Sequence, residues 1–96
     1  MILRYTERAE NDLEEAFSWY EFQRKGLGRN FLEHIETSLK NILKNPKIYN
    51  ICYSNFRRCV IKRFPFSIFY TIEKTEIIIH SVFDNRRNPV KRPGKK

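Results

Sequence analysis

Residues 55–73 read NFRRCVIKRFPFSIFYTIE. Apolar, aromatic and β-branched residues dominate, and they alternate rather than recur at helical spacing. That pattern predicts strands. Pro65 divides the stretch at a point where a missing N–H is tolerated, giving strands over 57–64 and 66–73. In the second strand Phe66, Ile68, Tyr70 and Ile72 share one face and Ser67, Phe69 and Thr71 the other. The first set suits packing against helices. The first strand carries Arg57, Arg58, Lys62 and Arg63. A buried strand does not hold four unpaired cations, because each would lose its hydration. One alternating set is Arg58, Val60, Lys62 and Phe64, the other Arg57, Cys59, Ile61 and Arg63. Neither is purely apolar, and a slip of one residue exchanges them, so the pattern leaves their faces open.

Working outward, EKTE (73–76) is a polar turn, and IIIHSVF predicts a third strand over 76–83, apolar on both faces at its start and therefore interior. On the N-terminal side, 46–56 reads as a loop. Before it, Phe31, Leu32, Ile35, Leu39, Ile42 and Leu43 form an apolar stripe at helical spacing, ending before Asn45-Pro46. KGLG (25–28) separates that helix from an earlier one over 7–24. The earlier helix buries Ala9, Leu13, Ala16, Phe17 and Tyr20, and Thr6 is placed to cap it. Trp19 and Phe22 lie off its stripe, which suggests that a second face is covered. ILRY (2–5) is a short first strand. So short a connection makes the two helices an antiparallel hairpin. The fold class is α+β in the order β-α-α-β-β-β: a helix hairpin on one face of a small, mostly antiparallel, four-stranded sheet. The other face is left to solvent or to a bound partner.

The 96 residues make one domain, set at 1–90, with 91–96 as a basic, mobile tail. The net charge of +8 is unevenly placed. Residues 1–48 hold eight Lys/Arg and eight Asp/Glu, whereas residues 49–96 hold eleven and three. An excess confined to one half points to an anionic partner, nucleic acid or acidic protein. Cys52 and Cys59 have no CxxC spacing and no histidines at zinc spacing, so free thiols are expected and no metal or other cofactor. No apolar run approaches the ~20 residues of a membrane span, and the N-terminus has no cleavable signal pattern. The expected location is the cytoplasm. Placed on or beside the uncovered face, Arg57, Arg58, Arg63, Arg86 and Arg87 would line a basic concavity edged by aromatics. Such a surface suits a phosphate chain with stacked bases or an acidic protein segment.

Three stretches carry a resemblance to a known family. They are AENDLEEAFSWYEFQRKGLGRNFLEHIETSLKNILKNP, FRRCVIKRFPFSIFYTIE and HSVFDNRRNP. Through residue 89 the chain resembles the RelE/ParE toxin superfamily of bacterial type II toxin–antitoxin systems, and within it the plasmid-stabilisation-type members. The resemblance implies the same β-α-α-β-β-β order and a cognate antitoxin whose extended C-terminal segment wraps the toxin. It also implies one of two targets. RelE-like members enter the ribosomal A site and cut mRNA; ParE-like members poison DNA gyrase and do not cut RNA. Oligomeric state stays open between a homodimer and a toxin–antitoxin hetero-oligomer.

Cleavage of RNA by its own 2′-hydroxyl needs a base, a cation at the phosphate and an acid for the leaving oxygen. Lys62, with its pKa lowered by neighbouring cations, is the candidate base, Arg63 a candidate cation and His80 the candidate acid. RelE-like nucleases carry a Tyr or His after the last strand, and residues 84–96 contain neither. His80 is also readable as a hydrogen-bonded structural histidine, Tyr70 as core, and Arg57 and Arg58 as partners of Glu14 and Glu15. Three functions follow in order: a ParE-like gyrase inhibitor, a ribosome-dependent mRNA endonuclease, and a degenerate toxin that only binds its antitoxin.

Overall fold

The computed structural model describes residues 1–87; the expected tail, 91–96, lies outside them. Its elements are β1 (Ile2–Tyr5), α1 (Glu7–Gln23), α2 (Leu27–Lys44), β2 (Ile51–Tyr53), β3 (Phe56–Val60), β4 (Phe66–Ile72) and β5 (Glu76–Asp84). The strands form one sheet in the order β1-β5-β4-β3-β2. β1 runs parallel to β5, and every other pair is antiparallel. The sheet therefore has five strands rather than four. The addition is β2, three exposed residues inside the stretch expected to be loop. So short a segment carries too little pattern to register as a strand, and only pairing with β3 makes it one.

Both helices lie on the same face. Ala9, Ala16 and Tyr20 from α1 and Phe31, Ile35, Leu39 and Ile42 from α2 pack on Phe66, Ile68 and Tyr70 of β4 and Ile77, Ile79 and Val82 of β5. The β4 set is the one that alternation assigned to the helices. Tyr70 is core, its hydroxyl donating to the Pro46 carbonyl at 2.7 Å, and burial pushes its pKa up to about 12. Trp19 and Phe22 are not covered by a second layer: they are 49% and 89% exposed. Being off the stripe meant solvent, not another packing face.

β5 keeps its core face only because it bulges. Tyr70 pairs with Ile79 but Phe69 pairs with Ser81, so His80 is an extra residue on β5. Before the bulge Ile77 and Ile79 face the helices; after it Val82 does, and Phe83 turns to the second face. Thr6 fixes this point. Its N–H donates to the Ile79 carbonyl, its hydroxyl donates to the His80 carbonyl, and its oxygen accepts the Ala9 N–H as the cap of α1. Beyond Thr6, β1 no longer covers the edge of β5. Asp12 does so instead, its carboxylate accepting from the Val82 N–H at 3.0 Å and the Ser81 hydroxyl at 2.9 Å.

The hairpin turn is built from its glycines. Gly26 has φ 90°, the left-handed region that a side chain disfavours. Its N–H and that of Gly28 both donate to the Glu21 carboxylate at 3.0 Å, so a side chain of α1 caps the start of α2. A Cβ on Gly28 would sit 2.8 Å from the Phe17 ring. We expect Gly28→Ala to push the helices apart and cost about 1–3 kcal/mol of stability. A urea-unfolding midpoint that does not fall would show that the contact yields.

Candidate functional site

β3 resolves the question its sequence left open. Cys59 and Ile61 lie in the core, so Arg57 shares the helix side and Arg58 the second face. Arg57, on β3 next to the edge strand β2, donates to the carbonyls of Tyr49 at 2.8 Å and Lys47 at 3.4 Å. A guanidinium with planar donors suits this task, tying the 46–50 segment to the sheet. Arg58 donates from Nε to the Ser67 hydroxyl at 2.9 Å and from a terminal nitrogen to the Asn85 amide oxygen at 3.2 Å. Ser67 donates to the same oxygen at 2.8 Å. The Arg58 guanidinium lies 6.0 Å from the centre of the Phe69 ring, which meets Phe83 edge-on. The carboxylate Glu15, expected near Arg57 and Arg58, pairs with Arg87 at 3.2 Å.

The second face is accordingly not an open basic concavity. Its centre holds Ser67, Phe69, Thr71, Ile78, Ser81 and Phe83, all buried. The five arginines expected to share it are distributed. Arg57 is on the helix side and Arg58 on the second face. Arg63 sits in the turn after β3 with φ 69°. Arg86 and Arg87 reach back over the end of β5 toward α1. The reason is geometric: neighbours in a strand point to opposite faces, so Arg57 and Arg58 cannot both serve one surface.

The ribonuclease candidates are also apart. Lys62 and Arg63 follow Ile61, whose N–H donates to the Phe66 carbonyl at the start of β4. His80 lies beside Thr71, five residues along that strand, with Nε2 and the hydroxyl 2.8 Å apart. At ~3.3 Å per residue the two ends are about 16 Å from one another, well beyond the reach of a shared reaction centre. The His80 ring also packs edge-on against Phe56 at 4.8 Å. Burial holds its pKa below the usual histidine value; Glu73 works against that shift and Arg4 with it.

The residues that do converge lie between α1 and the end of β5. A cleft of about 550 Å³ is lined by Trp19 and Tyr20, by Phe83 and Asp84, and by Arg86 and Arg87, among others. Arg86 grips Asp84 through two side-chain bonds of 3.0 and 2.9 Å, and its backbone N–H donates to the same carboxylate. That bonding holds the Asp84 carboxyl below its ordinary range and the Arg86 guanidinium above its own. So anchored, Arg86 stands 5.7 Å over the Trp19 ring. Sequence reasoning named Arg86 and Arg87 but missed Trp19, Asp84 and Asp12. The available signal was Trp19 itself, a large aromatic off the core stripe. Among the described residues no group of three or more His, Cys, Asp or Glu could hold a metal ion, and no helix is long and apolar enough to cross a membrane.

A two-helix hairpin on one face of a five-stranded mixed sheet, entered by a parallel β1, is an α+β fold that matches ParE-like structure. The chain belongs to the family described as ParE toxin of type II toxin-antitoxin system, parDE, whose model matches residues 3–89. Membership makes it the toxin component of such a system, with an antitoxin as partner. Among solved structures it is similar to a chain of the chromosomal ParDE TA system from P. aeruginosa. The two share 19% identity over 88% of this chain and 95% of that one, with a TM-score of 0.77. No curated protein matches.

The lowered pKa of His80 fixes the sign of a pH effect. Folding favours the neutral ring, so its contribution is complete above the unfolded value of about 6.5 and is lost as pH falls through the lower folded value. The thermal midpoint of the wild type should therefore fall more than that of His80→Gln between about pH 7.5 and pH 5. Parallel curves would mean that the ring titrates alike in both states.

Proposed function

We propose that this toxin acts by binding DNA gyrase and blocking its supercoiling cycle, without itself breaking a covalent bond. The observation that carries the reading is the separation of Lys62 and Arg63 from His80 along β4. An acid, a base and a phosphate-holding cation must converge within hydrogen-bond reach of one phosphodiester, and these candidates are at opposite ends of a strand. His80 is further engaged by Thr71 and Phe56.

What does converge has the composition of a protein interface. Exposed Trp and Arg, with a carboxylate holding the Arg in place, are the residues that concentrate binding energy between proteins. The family assignment favours gyrase as the target and an antitoxin as the inhibitor that competes with it.

The test is a paired assay. Purified toxin in excess should slow gyrase supercoiling of relaxed plasmid by roughly tenfold or more, a free-energy effect of ~1.4 kcal/mol per decade, while a translated mRNA stays intact. Cutting of that mRNA at the ribosomal A site would replace this reading with a ribosome-dependent endonuclease. Inactivity in both arms would leave a protein that only binds its antitoxin.

A further inference from the structure

The sequence places its surplus charge in the second half, but the fold gathers cations from both halves at one end of the molecule. Phe64, next to Lys62 and Arg63, packs on Tyr20 at 5.0 Å, on Phe31 at 5.4 Å and on His34 at 5.3 Å. That contact brings the turn after β3 against the tip of the helix hairpin. The Asn85 N–H donates to the Pro65 carbonyl at 2.7 Å, drawing the end of β5 to the same place. Arg24, Lys25 and Arg29 therefore join Lys62 and Arg63, and all five are exposed. None of the five side chains makes an ion pair among the described residues. Glu21, the carboxylate nearest in the chain to Arg24 and Lys25, is occupied with the N–H groups of Gly26 and Gly28.

On the same hairpin, two and three residues before Arg24 and Lys25, stands Phe22, the most exposed large hydrophobic residue described, and one turn earlier Trp19. Cations without ion pairs at the end that also exposes two large aromatics cost a free protein both self-repulsion and apolar exposure. Both costs are recovered when an anionic, partly apolar surface covers them. A stacked nucleic acid is poorly served, because Arg86 already lies over the Trp19 ring and Tyr20 meets it edge-on at 5.1 Å. Only Phe22 is left as a platform, and single-strand binding relies on successive ones.

We propose that the hairpin-tip end, with Phe22 and Trp19 exposed beside Arg24 and Lys25, is the surface with which this toxin grips an acidic face of its protein target. The inference rests on the reading that the toxin acts by binding a protein; it does not require that protein to be gyrase. The aromatics fill apolar depressions, and the cations pair with carboxylates around them, which also speeds encounter.

The test compares Phe22→Ser/Arg24→Glu/Lys25→Glu with a control of equal charge change at the opposite end, Lys44→Glu/Lys74→Glu. All five side chains are exposed, so both variants should keep the wild-type unfolding midpoint. The expected result is that the triple variant needs about 100-fold more protein than wild type to arrest growth, the effect of losing a hot-spot cluster. The control should arrest growth like wild type, and both variants should still co-purify with the cognate antitoxin. Undiminished toxicity of the triple variant would overturn the proposal, as would an equal loss in the control. Loss of antitoxin binding in the triple variant would assign the surface to the antitoxin instead. A labelled single-stranded oligonucleotide that binds wild type and not the triple variant would assign it to nucleic acid. Gyrase inhibition shared equally by wild type and triple variant would sink this surface while keeping the gyrase reading. Arrest lost in the triple variant with gyrase untouched by wild type would do the reverse. A wild-type chain that arrests nothing would end both.

Discussion

Thr6 carries three hydrogen bonds that between them set the rest of the molecule. Its N–H ends the parallel pairing of β1 with β5, its hydroxyl holds the His80 carbonyl at the bulge, and its oxygen starts α1. A strand's side chains alternate with a period of two, so one extra residue reverses every face assignment beyond it. Without the bulge at His80, Ser81 and Phe83 would face the helices and Val82 would not. With it, Ile68 meets Val82 in the core, and Phe83 joins Phe69 on the second face. The junction also sets where α1 runs. It brings Asp12 to the bared edge of β5 and Trp19 to Arg86.

The chemistry of the toxin follows from the same geometry. β4 is the central strand and works as a spacer. One of its ends holds the turn with Lys62 and Arg63, and the other holds Thr71 and His80. Groups that looked like parts of one catalytic set are thereby parted. Groups that looked unrelated, from the helix turn, the turn after β3 and the end of β5, are brought together through Phe64, Tyr20 and Asn85. A surface of cations and aromatics suits binding, since interfaces concentrate their energy in a few such anchors.

Arg57 and Arg58 show how a reading by residue type can mislead. Adjacent arginines in a strand suggest a shared anionic ligand, but they point to opposite faces. Arg57 ties the 46–50 segment to β3. Arg58 organises Ser67 and Asn85 beside Phe69. Both donate to neutral oxygens of the chain itself, which is how an arginine satisfies its planar donors when it is partly buried.

The sequence by itself determined both helices and four of the five strands, in their order. Thr6 as a cap, the stripes of α1 and α2, the glycine break between them, and the Phe66, Ile68 and Tyr70 face of β4 are local patterns, and local patterns survive without knowledge of the fold. It also carried enough of the family signature for the toxin assignment. Tertiary structure alone decided the bulge at His80, the pairing that makes Ile51–Tyr53 a strand, and the faces of Arg57 and Arg58. Only tertiary structure, too, gathered the cations at the hairpin tip. Each depends on which residue meets which across the sheet, or across tens of residues of chain, and no window of sequence contains both partners.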